Sequence, residues 1–109
     1  MRLNEATESA RQVRELFARL ETRRHGRPWN LAEIALGFVG DVGDLAKLVQ
    51  AAGGVRDVPD LSAQLSHELA DCLWCVLVLA DALGVDLETA FSDTMRQLTE
   101  HIRGELAES

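Results

Sequence analysis

The chain has 109 residues, which fits one compact domain covering residues 1–109, and 47% of them are hydrophobic, enough for a sizeable core. The formal net charge of −7 excludes a nucleic acid polymer held through its backbone, because that contact needs clustered Lys and Arg. No apolar run reaches about 18 residues and the polar first ten residues lack a signal-peptide stretch, so we expect no membrane span and a cytoplasmic protein.

Apolar periodicity predicts two helices in the first half of the chain. The first covers about residues 4–24 and ends at Gly26, a residue that suits a helix stop. The second begins after Asn30, an N-cap that Glu33 completes as a capping box, and runs to about residue 52, just before two glycines.

Two further helices are predicted in the second half. The third starts near residue 60 or 62 and ends before Gly84, and its nearly all-round apolar stretch over residues 69–83 predicts a central, mostly buried helix. The fourth is capped by Asp86, with Val85 as a hydrophobic staple, and continues to about residue 106 with a weaker apolar pattern. The predicted fold is an all-α, four-helix-type bundle, completed by pairing into a homodimer or homotetramer that covers the remaining apolar surface.

Two pairs of acidic residues lie inside apolar helices. Asp41 and Asp44 are three residues apart in the second helix, and Glu68 and Asp71 are three apart in the third. Because three residues are nearly one helical turn, each pair points two carboxylates to one side, and antiparallel packing would bring the pairs together. Four such carboxylates suit Mg²⁺, with Mn²⁺ as a substitute.

The alternative is that these acids are solvated surface, as carboxylates with this spacing usually are. Asp71 argues against it, because the residue lies among Leu69, Cys72 and Trp74, where an unpaired buried charge would cost several kcal/mol. We therefore interpret Asp41, Asp44, Glu68 and Asp71 as ligands of a divalent cation.

Three glycines recur at every third position inside the second helix, namely Gly37, Gly40 and Gly43. Each costs about 1 kcal/mol relative to alanine in a helix, so the repetition needs a reason. Close packing against another helix is one reason, and space for a bulky ligand beside the acidic pair is the other. The sequence leaves both open.

The two cysteines, Cys72 and Cys75, form a C-x-x-C pattern. A redox motif of this kind needs a βαβ context, and a structural zinc site needs four ligands, neither of which is evident. We interpret them as small core residues in the middle of a helix.

Aromatic and basic residues near the acidic pairs are candidates for substrate contacts. Trp29 and Trp74 could stack on a nucleobase or pack in the core. Lys47 follows Asp44 by three residues and could contact a phosphate or pair with a carboxylate. The arginines near the end of the first helix are interpreted as a solvated helix end, with phosphate binding as the weaker alternative: Arg19, Arg23 and Arg24.

Two segments together resemble a known family. Residues 30–46 read NLAEIALGFVGDVGDLA, which resembles the first motif of the MazG-like all-α nucleotide pyrophosphohydrolases. This segment is closest to the dCTP pyrophosphatase branch, roughly N-L-x-x-A-L-x-x-E-x-G-E-L-A. Residues 68–71 (ELAD) and 85–87 (VDL) resemble the second motif and the turn after it. The similarity spans about residues 28–95.

The resemblance implies Mg²⁺-dependent hydrolysis of a nucleoside triphosphate to the monophosphate and pyrophosphate. It places the family's four metal-binding and catalytic acids on Asp41, Asp44, Glu68 and Asp71, one of which could act as general base for the attacking water. It also gives Asn30 a substrate-side role.

The chain departs from the family pattern at several positions. Asn30 lies about one helical turn further from the acids than the family's Asn, and Leu98 stands where a polar residue is common. Asp41 and Asp44 stand where the family usually has Glu, and Thr94 stands where a phosphate-binding Lys is common. Arg96 or Arg103 could replace that Lys.

Three functions follow from these observations. The first is an enzyme, a house-cleaning pyrophosphohydrolase that removes a non-standard or surplus nucleotide, such as a pyrimidine deoxynucleotide. The second is a non-catalytic nucleotide-binding or regulatory bundle, which the departures from the family pattern favour. The third is a structural helical dimer with surface acids.

Overall fold

The computed structural model describes residues 1–108, which form four helices and no strand. They are α1 (Leu3–His25), α2 (Leu31–Ala52), α3 (Leu61–Ala82) and α4 (Leu87–Glu108). The predicted all-α class is confirmed, and the predicted helix limits lie close to the observed ones.

Local sequence signals set the helix ends. The Asn30 side chain accepts a hydrogen bond from the Glu33 backbone N–H, and the Glu33 carboxylate accepts one from the Asn30 N–H, so the capping box is present. Gly26 ends α1 with a φ of 85°, a left-handed conformation that glycine adopts without a steric penalty. Asp86 accepts a hydrogen bond from the Thr89 N–H, as expected for a cap of α4.

α3 is the central helix and packs against both α1 and α2. A small buried cluster joins these three helices and consists of Ala10, Ile34, Leu77 and Val78. α2 and α3 run antiparallel, because residue 41 of α2 contacts residue 75 of α3 while residue 44 lies beside residue 68. This arrangement is the one that brings the two acidic pairs to the same level of the bundle.

The prediction that α3 is mostly buried is wrong for the single chain. Only Cys75, Leu77 and Val78 of this helix are buried, whereas Leu69 is 55% exposed and Leu73 is 49% exposed. The physical reason is that α1 and α2 cover two sides of α3 and leave a third side open. By length and composition alone α3 could also cross a membrane, a test that core helices of soluble bundles pass as well.

The apolar pattern of α4 is stronger than predicted from the sequence. It carries an apolar stripe at helical spacing, and none of its residues is buried within residues 1–108. The radius of gyration is 17.5 Å, whereas a compact chain of this length has about 13 Å. The exposed members of the α4 stripe are Phe91, Met95, Leu98, Ile102 and Leu106.

Candidate functional site

Three of the four predicted acids meet between α2 and α3. Carboxylate oxygens of Asp41, Asp44 and Glu68 all lie within 4.8 Å of one another. Asp41 and Glu68 are half-buried, and Asp44 is exposed at the edge of the group. Like charges at this distance repel one another, so the arrangement favours either protonation or a bound cation.

Glu68 is the deepest member of the group. Its Oε2 atom is buried and has no hydrogen-bond partner among residues 1–108. Burial raises the pKa of Glu68, and the charges of Asp41, Asp71 and Asp44 raise it further. A buried carboxylate oxygen without a donor is costly, and a divalent cation would satisfy it. The residues present therefore fit a hard cation with oxygen ligands.

Asp71 is placed differently from the expectation. Its side chain is 44% exposed, and its Oδ2 lies 3.0 Å from His67 Nε2, one turn earlier on the same helix. The expectation of a buried charge at Asp71 is wrong, because α2 covers the Glu68 side of α3 and leaves Asp71 near solvent. Asp71 still lies next to Glu68: donor atoms of His67, Glu68 and Asp71 form a second group within 4.8 Å.

A cavity of about 420 Å³ adjoins the acidic group. Asp41 belongs to both, because it lines the cavity, as Gly37 and Cys75 do, and also lies beside Glu68. Both predicted tryptophans, Trp29 and Trp74, line this cavity. Its size is in the range of ordinary small-molecule sites.

The two tryptophans differ in their freedom to contact a ligand. Trp74 donates from Nε1 to the Ala10 carbonyl at 3.1 Å and packs edge-to-face against Phe17, with ring centroids 5.5 Å apart. These contacts match the core-packing alternative. Trp29 lines the cavity and is 46% exposed, and its backbone N–H donates to Glu21 Oε1 at 2.8 Å, so its ring is more accessible to a ligand than that of Trp74.

The other predicted substrate residues are not gathered at the acidic group. The Asn30 side chain is engaged in capping α2. Lys47 is exposed on α2, one turn beyond Asp44. Arg96 pairs with carboxylates on its own helix, at 3.9 Å from Asp93 and 3.5 Å from Glu100.

α1 contributes a side of the cavity that was not predicted from the sequence. Arg14, Phe17, Glu21 and Arg24 recur at three- and four-residue spacing, so they share one face of α1, and all four line the cavity together with His25. That spacing was readable in the sequence. The interpretation of Arg24 as part of a solvated helix end is therefore incomplete, since this arginine borders the cavity.

The three glycines of α2 are not explained by packing within the chain. A Cβ atom at Gly37, Gly40 or Gly43 would have nothing within 4 Å among the described residues beyond its own helix. Close approach of another helix of this chain is therefore excluded as the reason. Gly37 lines the cavity, which leaves the ligand explanation in place there.

The two cysteines lie on α3 close to the acidic group. Cys75 is 3% exposed, as expected of a core residue, and its Sγ lies 3.8 Å from Asp41 Oδ2. Burial, followed by the charge of Asp41, raises the pKa of Cys75 to about 11, and burial also raises the pKa of Cys72. Both residues are free thiols, and Cys72 is only half-buried.

Comparison with known proteins identifies the family. The family model described as "MazG nucleotide pyrophosphohydrolase domain" matches residues 3–103, almost the whole chain. Comparison with curated proteins and with solved structures gave no match. Proteins with this domain generally use a divalent metal. The helical bundle, the paired acidic residues and the family match agree, and the chain belongs to the MazG nucleotide pyrophosphohydrolase family.

Proposed function

We propose that this protein is a Mg²⁺-dependent hydrolase that converts a nucleoside triphosphate to the monophosphate and pyrophosphate. The observation that carries the proposal is the position of Asp41, which borders both the carboxylate group and the aromatic-lined cavity. A triphosphate held at the carboxylates through a cation would therefore have its base directed to the cavity. Water adds to phosphorus, the bond between the α- and β-phosphates breaks, and pyrophosphate leaves.

The acidic residues provide the cation-binding half of the site. Asp41, Asp44 and Glu68 would hold the ion, with Asp71 beside Glu68, and Mn²⁺ would be an acceptable substitute. When bound, the ion would neutralise charge on the phosphates and make a water molecule more acidic. A carboxylate that keeps a free oxygen can accept the proton of that water.

The cavity provides the base-binding half. The half-exposed ring of Trp29 offers a stacking surface, and Arg14 and Arg24 provide positive charge on the same wall. The similarity of residues 30–46 to the dCTP pyrophosphatase branch favours a pyrimidine deoxynucleotide as substrate. Removal of a surplus or non-standard nucleotide is the corresponding cellular role, and the cytoplasm, where such nucleotides occur, remains the predicted location.

The apolar surface supports assembly with a second copy of the chain. α4 has five large apolar residues in one stripe and none of its residues buried, an arrangement that single soluble chains rarely leave open. A homodimer or homotetramer would cover this stripe. Ile102→Asp should lower the mass measured by light scattering, whereas Gln97→Asp, off the stripe, should not. Equal masses for all three proteins would contradict the assembly.

The decisive assay measures pyrophosphate release from a panel of nucleoside and deoxynucleoside triphosphates, with and without Mg²⁺. Turnover should require Mg²⁺, and Asp71→Asn should abolish it while the circular dichroism spectrum stays native. Mg²⁺-dependent nucleotide binding without turnover would support the second candidate, a regulatory binding module, which the Asp residues at positions 41 and 44 favour. If the protein neither binds nor hydrolyses nucleotides, the third candidate, a structural helical dimer, would be supported.

The base-binding assignment has its own test. Trp29→Ala should raise KM about tenfold with little change in the free energy of unfolding, because a stacked base contributes about 1–3 kcal/mol. Trp74→Ala should instead lower the free energy of unfolding by about 3 kcal/mol, because its ring and Nε1 contacts hold α3 to α1. Unchanged KM in Trp29→Ala would remove Trp29 from the substrate site.

A further inference from the structure

We propose that Glu21 is a specificity-determining residue that selects a nucleobase with an exocyclic amino group, cytosine or adenine, over the deaminated form of the same base. The proposal rests on the base-binding half of the proposed function and deepens it, because it names the class of base that the cavity accepts. It concerns the wall that α1 contributes to the cavity, and neither the paired acids nor the family resemblance gives Glu21 a role.

Glu21 is the cavity acid that the cation site does not use. Within the described residues, two acids line the cavity: Asp41, which belongs to the carboxylate group between α2 and α3, and Glu21 on α1. The wall that contains Glu21 is otherwise largely apolar and includes Phe17, Leu20 and Pro28. A half-buried carboxylate in such a wall is an effective acceptor for a bound ligand, because less water competes for it than on an open surface.

One oxygen of Glu21 is engaged and the other is available. Oε1 accepts a hydrogen bond from the Trp29 backbone N–H at 2.8 Å, and Oε2 has no hydrogen bond or ion pair among residues 1–108. The bond ties α1 to the segment before α2 and restricts the movement of the carboxylate. It also joins the residue that offers a stacking surface to the residue that offers an acceptor. A base stacked on Trp29 would therefore have a fixed acceptor nearby.

Glu33 shows how a carboxylate with a structural role is bonded in the same region. It accepts hydrogen bonds from Arg27 Nη1 at 2.6 Å and Nη2 at 3.1 Å, and its Oε1 also accepts the Asn30 N–H. Both oxygens of Glu33 are therefore used within the chain, and Arg27 is engaged by Glu33. Glu21 has no such cation paired with it among the described residues, so one of its acceptor positions is left for a ligand.

The chemistry of an ionised carboxylate restricts the base edge that it can bind, because it accepts hydrogen bonds and donates none. The exocyclic amino group of cytosine or adenine is a donor, and glutamate is a known partner of the cytosine amino group. Uracil and thymine carry a carbonyl oxygen at that ring position, and their ring N–H lies between two carbonyl oxygens that repel a carboxylate. Hypoxanthine differs from adenine by the same exchange. Arg14 and Arg24 on the same wall can donate to the acceptor next to the amino group.

This selection distinguishes the two cellular roles that the proposed function includes. Cytosine and adenine nucleotides are standard, so an enzyme that requires their amino group would remove a surplus. Removal of deaminated, non-standard nucleotides would instead require a donor at the position of Glu21, because these bases present a carbonyl oxygen there. The carboxylate therefore favours the first role.

The test compares kcat/KM within two pairs of deoxynucleoside triphosphates, cytidine with uridine and adenosine with inosine, and the pair with the higher turnover decides. The proteins are the wild type, Glu21→Gln and Glu15→Gln, a matched control that removes the same charge from an exposed site on α1 outside the cavity. The wild type and the control should prefer the amino member about 10- to 100-fold, less than a fully buried site would, because Glu21 is only half-buried. In Glu21→Gln the amide oxygen can still accept the Trp29 N–H, and the amide nitrogen can donate to a carbonyl, so the preference should be lost or reversed.

The comparison within the wild type needs no variant. Equal kcat/KM for the two members of the deciding pair, or a preference for the deaminated member, would overturn the selection and leave the proposed hydrolysis standing. An unchanged preference in Glu21→Gln, with turnover of both members reduced alike, would also overturn it and would mean that Glu21 only holds Trp29. If no nucleotide is hydrolysed, the dissociation constants of the same pairs with Mg²⁺ replace kcat/KM, and the same order is expected. Absence of both turnover and binding would overturn both proposals together.

Discussion

Two carboxylates of α3 lie in opposite electrostatic surroundings. Asp81 receives two hydrogen bonds from Arg11 of α1, from Nη2 at 2.6 Å and from Nε at 3.0 Å, and Arg11 also pairs with Glu8. The hydrogen bonds from Arg11 hold the pKa of Asp81 below its usual range. Glu68 has Asp41, Asp44, Asp71 and His67 as charged neighbours, and burial followed by the charges of the three acids raises its pKa.

The difference indicates that Asp81 stabilises the fold, whereas Glu68 belongs to a ligand-binding site. At the Asp81 end the chain supplies its own cation, Arg11, in the bidentate geometry that carboxylates bind well. At the Glu68 end the chain supplies three carboxylates within 4.8 Å of one another, and one buried oxygen has no hydrogen-bond partner in the described part of the chain. The second arrangement is unfavourable when all the carboxylates are ionised and becomes favourable when one of them is protonated or a cation binds, which is typical of functional sites.

Replacing Glu68 and Asp81 in turn should give the largest difference, in turnover and in the change of Tm with Mg²⁺. Glu68→Gln should reduce turnover at least about 100-fold and should abolish the rise in Tm that Mg²⁺ gives the wild type, because a cation ligand is lost. Asp81→Asn should lower Tm through loss of the Arg11 contacts, yet keep both turnover and the Mg²⁺ response. The measurements are pyrophosphate release and thermal unfolding with and without Mg²⁺.

If Mg²⁺ still raises the Tm of Glu68→Gln, the proposed difference between Glu68 and Asp81 is wrong, since neither carboxylate would then be needed for cation binding. The isosteric amide keeps the side-chain volume, so a folding defect is not expected. In the absence of a cation, Glu68→Gln should even be more stable than the wild type, because it removes repulsion from Asp41, Asp44 and Asp71.

The next effect is an opposite pH dependence of stability in the cation-free protein. The depressed pKa of Asp81 contributes stability above the unfolded value of 3.8, and this contribution is lost as pH falls through the lower folded pKa. The raised pKa of Glu68 acts in reverse: stability is lost as pH rises from the unfolded value of 4.5 through the higher folded pKa. Denaturant unfolding between pH 3 and 8 would measure both.

The variants Glu68→Gln and Asp81→Asn show which residue causes each change of stability with pH. The stability gain of Glu68→Gln over the wild type should grow as pH rises above about 4.5 and should vanish with saturating Mg²⁺. The loss in Asp81→Asn should instead fade as pH falls below about 3.8. Parallel pH curves for the wild type and Glu68→Gln would mean that the acids near Glu68 do not interact in solution.

The same contrast shows how far the sequence could predict the molecule. Gly26, Asn30 and Asp86 were assigned correctly as helix-end residues, because capping depends on neighbours along the chain. The meeting of Asp41 and Asp44 with the third helix followed from the antiparallel packing of adjacent helices.

The depth of each acid could not be predicted in the same way. Glu68 and Asp71 are both half-buried, and the rotation of α3 against α2 decides that Glu68 Oε2 is enclosed while the Asp71 side chain is 44% exposed. The cavity wall formed by Arg14 and Arg24 shows the same limit: spacing placed them on one face of α1, but only tertiary packing shows what that face covers. The exposure of one side of α3 could not be predicted for the same reason: it depends on which faces of the helix the other helices cover.

The smallest effect concerns Cys75, the thiol that lies between the core and the acidic group. Its raised pKa, about 11, keeps it protonated near neutral pH, so it should act as packing and as a weak donor to Asp41 rather than as a metal ligand. Cys75→Ala should lower the free energy of unfolding by about 1 kcal/mol, and Cys72→Ala, at a half-buried position, by less. Both variants should keep turnover and the rise in Tm with Mg²⁺. Loss of the Mg²⁺ response in Cys75→Ala without loss of stability would place sulfur among the ligands, and the carboxylates would no longer account for the site alone.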